Sequence, residues 1–214
     1  VIQASNLERH AGDYAFGKAT ASDLRNAIKA AQEAGELSTR THKVNRGVET
    51  RGFTTRAAIV TERRMLATEA KGRGQAEPVF DRMTAARRVG AAQITAKRQG
   101  HTWTSGQTDA TIGLLTARDK VVGVQGYAGT AKTTTVLATY AREAERYGLA
   151  VTALAPTASA ATVLGEALGL RGDTVARHLL APEAHMSDKE TVWIVDEASM
   201  LSAHDMARLL ASAD

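Results

Sequence analysis

Gly126-Tyr127-Ala128-Gly129-Thr130-Ala131-Lys132-Thr133 follows the apolar run Val121–Gln125 and opens a helical pattern. A glycine-rich turn between a strand and a helix is the setting of a phosphate loop. Backbone N–H groups of such a turn, and the positive end of the helix, surround an anion. Lys132 is the cation expected to reach the β- and γ-phosphates, and the Thr133 hydroxyl is an oxygen donor for Mg²⁺. Gly126, Gly129, Thr130, Ala131 and Thr134 complete the expected nucleotide contacts. One position departs from the pattern G-x-x-x-x-G-K-[ST]: Ala131 stands where glycine is wanted. If that position requires φ > 0, alanine there costs on the order of 1 kcal/mol or more. Gly129 can relieve part of that strain. The competing reading is a glycine-bearing turn with no ligand.

Downstream, Val192-Trp193-Ile194-Val195-Asp196-Glu197-Ala198-Ser199 delivers two acids to the end of an apolar run. Ligands of open α/β sheets bind beyond the carboxyl ends of the strands. Asp196 is therefore expected to hold Mg²⁺, directly or through water, and Glu197 to orient or deprotonate an attacking water. Asp196 lies 64 residues after Lys132, which makes the pair more specific than an exposed Asp-Glu turn. Upstream, Thr104-Ser105-Gly106-Gln107 has two readings of similar weight. It fits a helix capping box, with Gln107 reaching back to the Thr104 backbone. Alternatively the Gln107 amide, a donor and an acceptor together, pairs with an adenine edge. Two weaker segments follow the strands. Pro156-Thr157 and Thr174 stand where a helix start can take a nucleic-acid phosphate, or where a threonine merely caps a helix.

The elements around these motifs alternate. Apolar runs at 121–125, 150–155 and 191–195 are separated by helical patterns at 132–147 and 159–168. This alternation predicts an α/β fold with a parallel sheet flanked by helices. Residues 1–100 read instead as a smaller, mostly helical segment preceding residues 101–214. Helices are predicted over 20–34 with Ser22 as N-cap, 55–70 and 78–99, and residues 39–52 suit loops or short strands. Charge follows the same division. Residues 1–100 hold 18 Lys/Arg against 10 Asp/Glu, and residues 101–214 hold 9 against 13. The basic residues are scattered, so a solvated surface is the simplest account and phosphate contact the sharper one. The chain has no cysteine, which excludes disulfides and thiolate chemistry. No apolar run reaches the roughly 18 residues of a membrane span. A start at Val1 and an end inside a helical pattern suggest a piece of a longer protein.

The order glutamine, phosphate loop, Ala-Pro-Thr and Asp-Glu-Ala-Ser resembles the superfamily 1B helicases, and Asp-Glu-Ala-Ser resembles their RecD-like branch. Trp103-Thr-Ser-Gly-Gln107, Val124-Gln-Gly-Tyr-Ala-Gly129 and Lys132-Thr-Thr resemble conjugative relaxase–helicases of the TraI/TrwC (MobF) type. Gly52-Phe-Thr-Thr-Arg-Ala-Ala-Ile-Val-Thr-Glu-Arg-Arg-Met-Leu66 is similar to the segment preceding the motor in that family. The resemblance implies a RecA-like domain that binds ATP and Mg²⁺ in a plasmid-nicking protein that unwinds DNA 5′ to 3′. It assigns adenine to Gln107, phosphates to Lys132, Mg²⁺ to Thr133 and Asp196, water activation to Glu197, and single-stranded DNA contacts to Pro156, Thr157 and Thr174. It also implies a second RecA-like domain bearing an arginine finger, a type IV secretion coupling protein as partner of residues 1–100, and a bacterial cytoplasmic location. Two other readings stand beside it: a RecD-like repair helicase without a relaxase, and a vestigial motor fold acting as a recruitment module.

Overall fold

A computed structural model describes residues 2–44, 48–127, 129–181 and 188–213. Ala128 of the phosphate loop, residues 45–47 of the stretch expected as loops or short strands, and Asp214 lie outside the described residues. Backbone packing divides the chain into two compact units, Val1–Arg64 and Met65–Asp214. The division expected between residues 100 and 101 falls inside the second unit.

In the first unit, β1 (Ile2–Gln3) leads into α1 (Ala4–Tyr14) and α2 (Ala21–Glu33), then the antiparallel pair β2 (Leu37–Val44) and β3 (Val48–Thr55). The register runs from Leu37 opposite Thr55 to Val44 opposite Val48, and β1 pairs with the outer edge of β3. Thr20 caps α2, not Ser22. Its hydroxyl accepts from the Asp23 N–H, and the Asp23 carboxylate accepts from the Thr20 N–H at 2.8 Å. The reciprocal pair satisfies two orphan donors at once, which a cap at Ser22 would not. Gly35 at φ +73 ends the helix, and Gln32 Nε2 donates to Thr39 Oγ1 at 2.9 Å to fix α2 on β2.

The helix α3 (Arg56–Lys71) follows the predicted span closely. In the second unit, α4 (Arg82–Arg98) begins four residues later than the predicted Pro78, because Asp81 is its cap. The Asp81 carboxylate accepts from the N–H groups of Met83 and Thr84 and from the Thr84 hydroxyl. Those hydrogen bonds, the Thr84 hydroxyl first, hold its carboxyl below the usual carboxylate range. Next comes α5 (Ser105–Leu115), tied to α4 by Gln93 Nε2 donating to Thr108 Oγ1 at 2.7 Å. Val79, Ala85, Val89 and Leu115 form the core between them, with Phe80, Trp103 and Tyr140 packed against it.

The helix after the phosphate loop starts as a π-helical turn, Lys132–Leu137, and continues as α6 (Ala138–Tyr147), closed by Gly148 at φ +108. Then come β4 (Ala150–Ala155), α7 (Ala158–Leu168), β5 (Gly172–Thr174), α8 (Val175–Leu180), β6 (Thr191–Val195) and α9 (Ala203–Ala211). The sheet is parallel, with β4 between β5 and β6. Alternate side chains feed opposite faces. Ala153 and Ile194 meet Ala141 and Leu164 on one side, while Leu154 meets Val175 and Leu209 on the other. This is the α/β arrangement of a RecA-like fold. At Gly172 an added Cβ would lie 1.8 Å from the Ala161 carbonyl oxygen, so α7 rests directly on the β5 backbone.

One predicted strand is absent. Val121–Gln125 joins no ladder among the described residues. Val122 is 44% exposed and Gly123 interrupts the run, so the segment lacks the paired neighbours that would fix it as a strand. Among the described residues, no helix is long and apolar enough to cross a membrane.

Candidate nucleotide site

The loop is built around its lysine. Lys132 Nζ donates to the carbonyls of Gly126 at 2.6 Å and Tyr127 at 3.1 Å. A Cβ at Gly126 would sit 2.9 Å from Lys132 Cδ and 3.0 Å from Thr130 Oγ1. Glycine there leaves the lysine its path across the loop. Gly129 supplies a left-handed turn at φ +76, where an added Cβ would meet open space. Its requirement is therefore conformational rather than steric. Thr130 Oγ1 donates to the Tyr127 carbonyl at 2.8 Å and closes the turn.

Ala131 adopts φ 51, ψ 32, the conformation that favours glycine, and stands at the N-terminus of the helix. The strain anticipated for alanine at this position is thus present. Its carbonyl accepts from the Thr135 N–H at 2.9 Å. The N–H groups of a first helical turn have no partner within the helix and are free for an anion.

The two motifs meet at Thr133. Its hydroxyl donates to Asp196 Oδ2 at 2.8 Å, across 63 residues of sequence. Asp196 N donates to the Leu154 carbonyl, so the sheet's backbone pairing continues to the aspartate. Asp196 Oδ1 accepts from the Glu197 N–H at 2.9 Å. Glu197 is exposed and holds φ 51, ψ 33. Two oxygens of different chemistry, a hydroxyl and a carboxylate, thus converge beside the lysine. Mg²⁺ takes one or two protein oxygens and fills its remaining positions with water and phosphate. The donor set fits that requirement.

Gln107 performs the cap and does something its sequence did not signal. Its Oε1 accepts from the Thr104 N–H at 2.8 Å, while Thr104 Oγ1 accepts from the Gln107 N–H. Its Nε2 donates to the Thr130 carbonyl at 3.0 Å, inside the phosphate loop. Beside the loop runs a cavity of about 710 Å³ whose wall includes Trp103, Gln107, Ala131, Thr135, Thr139 and Glu143. That volume lies in the range of small-molecule sites.

Glu143 is the residue that sequence reasoning passed over. It is 2% exposed and accepts from Arg146 at 2.7 Å, with Arg88 and Arg142 each 3.8 Å away. Arg146 stands at the helical i,i+3 spacing from Glu143, but no periodic signal announces Arg88, which comes from α4, far earlier in the chain. Pro156, Thr157 and Thr174 sit at the ends of β4 and β5. Both threonines are N-caps, accepting from the N–H groups of Ala160 and Arg177 at 3.2 Å.

A comparison with curated proteins gave no match. The family model described as an AAA domain matches residues 102–214, the span that carries Gln107, the phosphate loop and Asp196. With its lysine, its threonine and its strand-end aspartate assembled in one place, the chain belongs to this AAA-domain family of P-loop nucleoside triphosphatases.

Proposed function

We propose that the chain is the ATP-binding half of a DNA helicase that moves 5′ to 3′, of the kind joined to conjugative relaxases. The observation that carries the nucleotide part is the hydrogen bond from Thr133 to Asp196 at 2.8 Å, which brings two distant motifs to one point. The motif order from Gln107 to Glu197 supports the helicase part, and the wording around Trp103–Gly129 supports the relaxase part.

In this reading Lys132 leaves the Gly126 and Tyr127 carbonyls to meet the β- and γ-phosphates, and Thr134 contacts the nucleotide next to it. Mg²⁺, held by Thr133 and Asp196, supplies charge neutralisation at the phosphates. Glu197 orients the attacking water from the exposed turn beyond β6. Single-stranded DNA passes the helix starts at Pro156–Thr157 and Thr174. A second RecA-like domain faces the site and brings the arginine that completes it. Residues 1–100 dock on a type IV secretion coupling protein in the bacterial cytoplasm.

Equilibrium binding of a fluorescent ATP analogue tests the nucleotide reading. Binding by the wild-type chain and its loss in Lys132→Ala are expected; unchanged binding in the variant refutes it. Unwinding of a 5′-tailed duplex by the longer protein carrying this domain tests the motor. Unwinding that survives Lys132→Ala refutes that part alone.

A further inference from the structure

We propose that Gln107 is a positioning residue that clamps the peptide unit joining Thr130 to Ala131, and that this clamp lets alanine occupy the left-handed position of the phosphate loop. The proposal rests on the nucleotide reading of the loop given above.

The Thr130 carbonyl receives Gln107 Nε2 at 3.0 Å. That carbonyl lies in the peptide plane that ends at the Ala131 nitrogen, and the plane is rigid. Rotation of the plane about the Ala131 N–Cα bond is the Ala131 φ. With the Ala131 carbonyl held in the helix by the Thr135 N–H at 2.9 Å, holding the Thr130 carbonyl holds φ at 51. Left alone, an alanine is drawn to negative φ, because its Cβ crowds the backbone in the left-handed region. A residue in this conformation persists only where its surroundings over-determine it.

The clamp has a fixed base. Gln107 is the third residue of α5, locked there by reciprocal hydrogen bonds with Thr104 and by Thr111 Oγ1, which donates to its carbonyl at 2.8 Å. Its amide is thus engaged at both ends, the oxygen by Thr104 and the nitrogen by Thr130. Reading an adenine edge needs one acceptor and one donor from the same amide. In this arrangement Gln107 acts on the phosphates through Ala131, and the clamp itself favours no base over another.

The test compares four chains: wild type, Gln107→Ala, Ala131→Gly and the double variant. Dissociation constants are measured for ATP, GTP and inorganic tripolyphosphate with Mg²⁺, alongside the thermal midpoint. Gln107→Ala is expected to weaken all three ligands by a similar factor, about fivefold for one hydrogen bond. In the Ala131→Gly background the same loss shrinks to less than about twofold, because glycine holds positive φ unaided. Gln107→Glu keeps the oxygen that caps α5 and removes the donor. It guards against a folding defect. Because its added carboxylate repels phosphate in either background, it is read on the thermal midpoint alone, which should fall less than in Gln107→Ala. A loss confined to ATP overturns the clamp in favour of base reading. An equal loss in both backgrounds overturns it in favour of a role in α5 alone. A wild-type chain that binds none of the three ligands overturns the nucleotide reading itself, and the clamp with it.

Discussion

Ala131 and Glu197 belong to the two motifs that meet at Thr133 and Asp196, and they hold nearly the same backbone, φ 51 with ψ 32 and φ 51 with ψ 33. Among the described residues, every other positive φ belongs to glycine, as at Gly35, Gly100, Gly148 and Gly169, where helices simply end. Left-handed backbone costs a residue with a Cβ about 1–2 kcal/mol. The chain uses glycine where helices end and at Gly129 within the loop, and tolerates strain at the two positions where the phosphate loop and the acidic strand end converge. The supports differ. Ala131 follows a carbonyl held by a side chain from α5, whereas Glu197 is held by its immediate neighbours, its N–H donating to Asp196 Oδ1 and its carbonyl accepting from the Met200 N–H. One side depends on a distant element and the other is locally self-sufficient.

The largest expected effects separate the two sides by task. Lys132→Ala should weaken ATP binding by about 100-fold, the loss of charge-assisted hydrogen bonds to phosphate. Glu197→Gln should leave ATP affinity within about twofold and slow phosphate release by about 100-fold or more. Binding isotherms and single-turnover phosphate release, measured in a protein that hydrolyses ATP with this domain, distinguish them. If Glu197→Gln weakened binding as much as Lys132→Ala, the division between a binding side and a chemical side would collapse.

The next effects compare two glycines within the loop. Gly129→Ala should cost about 1 kcal/mol or more, all of it backbone strain, since its Cβ would touch nothing. Gly126→Ala presses instead on the Lys132 side chain, whose Cδ lies 2.9 Å from the added carbon. The flexible lysine can give way, so stability should change by less than about 0.5 kcal/mol while nucleotide affinity falls. Thermal denaturation and binding on the same two variants check this. Equal losses of stability would show that position 126 also carries backbone strain.

Much of this architecture was legible in the sequence because it is local. The apolar runs at 150–155 and 191–195 are strands to the residue, and Thr104, Thr157 and Thr174 cap the helices they precede. Local chemistry also misled when two caps competed: Thr20 outranks Ser22 because Asp23 answers it, and Asp81 displaces the start expected at Pro78. Relations between distant residues were legible only where motifs carry them, as for Thr133 and Asp196. Nothing in Gln107 pointed to the Thr130 carbonyl, and nothing in Glu143 pointed to Arg88, because neither contact has a period or a motif. The run at 121–125 shows the converse. Its composition suits a strand, yet strand formation is a property of paired neighbours, and no ladder includes it among the described residues.

The smallest effects bear directly on the two matched dihedrals. Glu197→Gly and Ala131→Gly each remove strain of about 1 kcal/mol and each add backbone freedom to the unfolded chain, which offsets part of the gain. The net rise in thermal midpoint should be about 1–3 °C for either. Matched dihedrals alone require matched gains. The supports preserve that match, because the Thr130 carbonyl stays fixed by Gln107 in the Ala131→Gly chain, and the Asp196 and Met200 bonds of position 197 survive any side-chain change. Stability should therefore rise similarly in both; nucleotide affinity should stay within about twofold in Glu197→Gly, and should be equal or up to about threefold tighter in Ala131→Gly, since its strain sits in the loop that must receive the phosphates. Clearly weaker binding by Ala131→Gly would mean that the left-handed alanine is an asset to the loop, a conformation that rigidity supplies and glycine squanders.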